Sequence, residues 1–159
     1  MRTSESTTNI AAALLAAQQE MPHPKKNAKN PHLRNSFADL PGVIDTVKEV
    51  LNKHGVVVVQ AVDGDAEYDG EGGTTPQKVG VCTRLCHAKS GEWLESWVSQ
   101  GVDGAKGMNL SQSIGSAITY LRRYSISAMA FVASEPDDDG NEGKGGDVKA
   151  ASPDSDFDL

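Results

Sequence analysis

The chain has 159 residues and a formal net charge of -7, a length that suits one domain. The charge is unevenly placed. Met1–Ser134 holds 13 Lys+Arg against 13 Asp+Glu, and Glu135–Leu159 holds 2 against 9, so a neutral body carries an acidic tail. No run of about 18 apolar residues occurs, so no transmembrane helix is expected.

Residues Ser6–Glu20 read as a helix, capped by Thr7 or Thr8, with Ile10, Leu14 and Leu15 as its apolar stripe. Its apolar stretch Asn9–Ala17 has only Arg2 as a preceding basic residue, which suits a capped helix better than a signal peptide. Met21–Asn35 is a basic linker with Pro22, Pro24 and Pro31 and no acidic residue, expected to be irregular. Asp39 precedes a second helix with Pro41 near its start and Val43, Ile44, Val47, Val50 and Leu51 at helical spacing, and Gly55 stops it. The β-branched run Val56–Val59 reads as a buried strand.

Asp63–Pro76 is acidic and Gly-rich, hence a loop. In Val79–Cys86 the side chains alternate: Val79, Val81, Thr83 and Leu85 on one side, Gly80, Cys82, Arg84 and Cys86 on the other. Ser90-Gly91 and Glu92–Val98 complete a β-hairpin. Gly101–Gly107 is a second loop. A helix begins near Asn109 or Ser111, and Ser127–Ala133 is its short apolar continuation. Beyond Glu135 there is almost no apolar residue before Phe157, so a disordered tail is expected.

The fold class is therefore α+β: a small antiparallel sheet, built of the hairpin plus an adjacent strand, with helices on one face. Three segments are expected: 1–25 as N-terminal helix and linker start, 26–134 as the core, and 135–159 as the tail.

The helix containing "SQSIGSAITYLRRYSISA" holds the most chemistry. On a helical wheel Ile114, Ala117, Ile118, Leu121 and Tyr124 share a core arc. Gln112, Ser116, Thr119 and Arg123 form the opposite stripe, with Ser113, Tyr120 and Arg122 beside it. No acidic residue lies between Asn109 and Ser134, so the helix itself offers the arginines no ion-pair partner. Cations beside an aromatic ring suit single-stranded nucleic acid, whose phosphates take Arg and Lys and whose bases stack on flat groups. Lys25, Lys26, Lys29 and Arg34 of the linker extend the positive surface.

Other constellations are weaker. Cys82 and Cys86 on one strand side lie about 13 Å apart, too far for a disulfide, and two cysteines without a second pair do not make a zinc site. Adjacent Asp137-Asp138-Asp139 lacks the geometry for a metal ion. Trp93 and Trp97 share a face, which suits core or subunit packing. No GxxxxGK[ST] occurs, so ATP-dependent strand exchange has no support.

The blocks "KNAKNPHLRNSFADLPGVIDTVKEVLNKHGVVVVQ", "GVCTRLCHAKSGEWLESW" and "QSIGSAITYLRRYSISAMAFVASEPDDDGN" cover most of residues 26–141 in this order. In them the chain resembles the ERF (essential recombination function) family of phage-type single-strand annealing proteins. The resemblance implies a protein that binds single-stranded DNA and anneals complementary strands without ATP, assembled in rings or filaments, with no cofactor and no catalytic centre. It carries over onto Lys26 and Lys29, onto Arg84 in the hairpin, and onto Tyr120, Arg122, Arg123 and Tyr124. With the residues read above, the expected DNA-binding set is Lys25, Lys26, Lys29, Arg34, Arg84, Gln112, Ser116, Thr119, Tyr120, Arg122, Arg123 and Tyr124.

The tail end, Asp156, Phe157, Asp158 and Leu159, is similar to the acidic tip of bacterial single-strand-binding proteins. It is expected either to dock a host single-strand-binding protein or a nuclease, or to compete with DNA. The expected partners are thus single-stranded DNA, the annealed duplex and further copies of the chain, in the cytoplasm. The competing class is a coating module that protects single strands without annealing them; a nuclease is the third.

Overall fold

The structure, a computed structural model, describes residues 1–30, 35–65, 77–102 and 109–134. Within them the order is β1 (Arg2–Thr3), α1 (Thr8–Glu20), β2 (Ala28–Asn30), β3 (Asn35–Phe37), α2 (Leu40–Lys53), β4 (Val56–Asp65), β5 (Gln77–His87), β6 (Trp93–Val102) and α3 (Leu110–Ala130). The α+β architecture expected from the sequence is the one found. β1, β6, β5 and β4 form one antiparallel sheet in that spatial order, and β2 pairs with β3. β4 and β6 run on to Asp65 and Val102, into segments expected as loops. The rest of both expected loops, and the acidic tail, lie outside the described residues.

Strand alternation gives the sheet two unlike faces. Val79, Val81, Thr83 and Leu85 are buried on the face that the three helices cover. Val57, Val59 and Trp97 are exposed on the other. The run Val56–Val59 is therefore not a fully buried strand: Val56 is buried and Val58 partly so, while Val57 and Val59 face away from the helices. A β-branched run records strand preference, and helices on one side only leave every second residue uncovered.

The buried residues form two clusters. Ile10, Ala17, Val43, Val47, Leu51, Val56, Leu85, Ile126 and Ala130 join α1, α2 and the second half of α3. Val79, Val81, Val102, Ala117 and Leu121, with the partly buried Val98 against them, join the first half of α3 to the hairpin β5–β6.

Local chemistry sets the element ends. The N-cap of α1 is Thr7, but its side chain makes no cap bond. The cap comes from across the fold: Glu92 accepts from the Ile10 N–H at 2.8 Å, from Asn9 at 2.8 Å and from Ser6 at 2.9 Å. Asp39 caps α2 through the Gly42 N–H at 2.9 Å. Its backbone N–H donates to Asn27, whose amide donates back to the same carboxylate. This exchange helps fix β2–β3, so the expected irregular linker holds over Met21–Asn27, while Ala28–Asn30 and Asn35 are paired in a short ribbon.

Candidate nucleic-acid interface

α3 starts in a capping box. Asn109 accepts from the Gln112 N–H at 2.9 Å, and Gln112 accepts from the Asn109 N–H at 3.2 Å. Gln112 is thus a cap as well as an exposed residue of the outer face. Ser116 and Thr119 are exposed as the wheel predicts, and Thr119 donates to the Gly115 carbonyl at 2.9 Å. Tyr120 is 49% exposed and lies against Tyr124, ring centroids 4.2 Å apart. Ser113, expected beside this face, is buried.

Arg123 departs most from expectation. It is only 8% exposed, and its guanidinium lies 4.4 Å from the Phe37 ring, 5.2 Å from Tyr124 and 5.5 Å from Tyr120. A helical wheel assumes one covered face. That holds for the first half of α3, but its second half is also covered by α2 and by the segment around Phe37. The segment is tied down at the C-terminal end of α3, where the Ala38 N–H donates to the Ser134 carbonyl and the Ala133 N–H to His23.

Arg122 takes the other flank. Its Nε donates to Gln60 Oε1 at 3.1 Å. Gln60 Nε2 donates to the Arg122 carbonyl and to Thr83, each at 3.0 Å. Arg122 borders an open cleft of ≈ 260 Å³ between α2, β4 and α3, together with Ile44, Lys48, Asn52, Val57, Val58, Gln60 and Ile126. Among the described residues no carboxylate lines this cleft, and neither Lys48 nor Arg122 has an ion pair.

A family model described as the ERF superfamily matches residues 10–155. The chain belongs to that family. The match begins at Ile10, inside α1 and ahead of the resembling blocks, and Ile10 is wholly buried in the main core. The ERF family is one of recombination and single-strand annealing proteins. No curated protein and no solved structure matches the chain. No helix among the described residues is long and apolar enough to cross a membrane.

In this ERF protein the remaining predicted cations are dispersed. Arg84 lies on the open face of the sheet, away from α3. Its Nε and one terminal nitrogen donate to Glu95 Oε2 at 2.8 and 2.5 Å, and its guanidinium lies 4.5 Å from the Trp93 ring. The Arg84 hydrogen bonds hold the Glu95 carboxyl below the usual carboxylate range against the opposing effect of burial. The sheet thus separates Arg84 from Arg122. Lys25 and Lys26 are exposed on the segment held beside the end of α3, and Lys29 sits on β2 opposite Ser36. Arg34 and Asp156–Leu159 lie outside the described residues. Sequence reasoning missed Lys48, Asn52 and Gln60. Ile44, Lys48 and Asn52 recur every four residues on α2, but nothing local ties them to Arg122, and Gln60 lies 62 positions from it.

Proposed function

We propose that this ERF protein binds single-stranded DNA along α3 and anneals complementary strands without ATP, as a homo-oligomer acting in recombination in the cytoplasm. The observation that carries the reading is the polar surface of α3: Gln112, Ser116, Thr119 and Tyr120 are exposed on its outer side, Arg122 lies on the flank that borders the cleft, and no carboxylate occurs on the helix. Hydroxyls, an amide and a cation suit phosphates, and the Tyr120 ring offers a stacking surface for any base. Annealing then needs no catalytic group. Two strands repel each other, and a row of protomers that neutralises their phosphates while leaving base edges open lets them pair, with affinity falling steeply with salt. Residues 26–134 handle the DNA, α1 supports them from behind, and the tail end Asp156–Leu159 meets a protein partner or the DNA site.

Mixing complementary oligonucleotides without ATP tests this. Accelerated duplex formation is the expected result. Protection from nuclease without acceleration would make the protein a coating module, and metal-dependent loss of DNA would make it a nuclease. Arg122→Ala is expected to weaken single-strand binding with an unchanged circular dichroism spectrum.

A further inference from the structure

β4 leaves one side of its backbone open. It ends the sheet order β1-β6-β5-β4, and among the described residues it pairs with β5 alone. This edge carries none of the usual guards against further pairing. From Val56 to Val62 it has no charge and no proline, and Val57 and Val59 are exposed on the open face of the sheet. The helix side of the same edge is different. There Val58 and Gln60 line the cleft, with Lys48 and Arg122 beside them and, among the described residues, no carboxylate. A strand added along an edge sends alternate side chains to the two faces. The segment that fits β4 therefore has apolar residues on one side and acidic residues on the other. Asp154–Leu159 has that alternation: Asp154, Asp156 and Asp158 fall on one side of an extended chain, Ser155, Phe157 and Leu159 on the other. The 19 residues between Ser134 and Asp154 can span up to about 65 Å, against a radius of gyration of about 14 Å for a domain of this size, so the segment reaches β4 of its own chain.

We propose that the chain's own segment Asp154–Leu159 docks on β4 as an added strand, with Phe157 and Leu159 beside Val57 and Val59 and with Asp156 and Asp158 turned toward Lys48 and Arg122. The inverse facing sets carboxylates over the two valines and leaves both cations without a counter-charge, so charge selects the first. The proposal rests on the tail end being a docking segment and makes its first partner the chain itself. Docking is self-blocking: the carboxylates occupy the cations that a phosphate backbone needs, and an arriving polyanion must displace them. The ion-pair part of the contact weakens with salt, while the backbone pairing and the apolar contact hold.

Amide hydrogen exchange of the full chain, read residue by residue by NMR, tests the docking without DNA. The amides of Ser155–Leu159 are expected to exchange about ten-fold more slowly in the wild type than in a double variant Phe157→Ser, Leu159→Ser. Val59→Asp on the receiving strand and Lys48→Ala in the cleft are each expected to speed tail exchange, with circular dichroism showing that the fold is kept. The double variant lies in the tail and decides the matter even where Val59→Asp fails to fold. Wild-type tail amides that exchange as fast as those of the double variant overturn the proposal. Protection that survives both Val59→Asp and Lys48→Ala also overturns it, because the tail is then held elsewhere. Protection that disappears on dilution assigns the tail to another copy and overturns docking on its own strand. Binding of a fluorescent oligo-dT reads the self-blocking separately. The double variant is expected to bind it several-fold more tightly than the wild type at low salt, and equal affinity overturns the blocking. If neither protein binds oligo-dT, the single-strand reading fails, and hydrogen exchange still decides the docking.

Discussion

The Arg123 guanidinium lies 4.4 Å from the Phe37 ring and is 8% exposed, so it joins α3 to the β2–β3 ribbon and is no part of the outer helix face. A desolvated cation over an aromatic ring is worth about 2 kcal/mol or more. Tyr120 and Tyr124 complete the surround, and the positive charge also helps hold the Asp39 carboxyl below its usual range, behind the stronger hydrogen bonds from Asn27 and Gly42.

Arg123→Ala is accordingly expected to lower unfolding free energy by about 2–4 kcal/mol, and Arg123→Lys by a similar amount because an ammonium does not stack as a plane. Arg122→Ala is expected to leave stability nearly unchanged. Urea denaturation of the three variants separates the neighbours. Equal losses at both positions would contradict the division of roles.

Glu92 gives a pH dependence. Burial raises its carboxyl pKa, but the bonds from Ile10, Asn9 and Ser6 outweigh that and leave it lowered. A lowered folded value means stability that is full above the unfolded carboxylate value of about 4.3 and lost as pH falls through the folded one. Glu92→Gln turns an amide N–H toward a donor, either Ile10 or the Ser6–Asn9 pair. Its melting temperature is expected to be lower at neutral pH and to fall less steeply below pH 4.3 than the wild type's, read by thermal melts across the acid range.

Gly80 lies beneath Trp97. A Cβ at position 80 would stand 2.3 Å from Cζ2 of that ring. Trp97 is 51% exposed, so it can swing outward. Gly80→Ala is expected to shift tryptophan emission to the red, with a stability change of about 1 kcal/mol or less. Unshifted emission would show that the ring does not cover the glycine.

Phe131 ends α3 at φ 59, ψ 43, with its side chain 82% exposed. The left-handed region costs a residue with a side chain about 1–2 kcal/mol, and Asn tolerates it better. Phe131→Asn gives up little packing, so a gain of about 1 kcal/mol is expected by urea denaturation. A loss instead would show that the exposed ring is packed against something in solution.

Much of this protein is written locally. The spacing of Val43, Val47 and Leu51 made α2 legible, with Asp39 before it and Gly55 after it. The alternation through β5 separated Val81 from Arg84 correctly, because strand geometry alone sends neighbours to opposite faces. The polar side of α3 at Gln112, Ser116 and Thr119 was legible for the same reason: half of that helix obeys a single-face rule.

The three quoted blocks were enough for family membership, and composition and period determined the α+β class. Tertiary structure decided what local period does not encode, namely how many sides of an element are covered. The second half of α3 is enclosed by the sheet, α2 and the Phe37 segment, and this took Arg123 inside while leaving Arg122 at the cleft. Glu92 caps a helix 82 positions away, and Gln60 braces an arginine 62 positions away. Hydrogen bonds and burial depend on distance in space, and a single sequence states only distance along the chain.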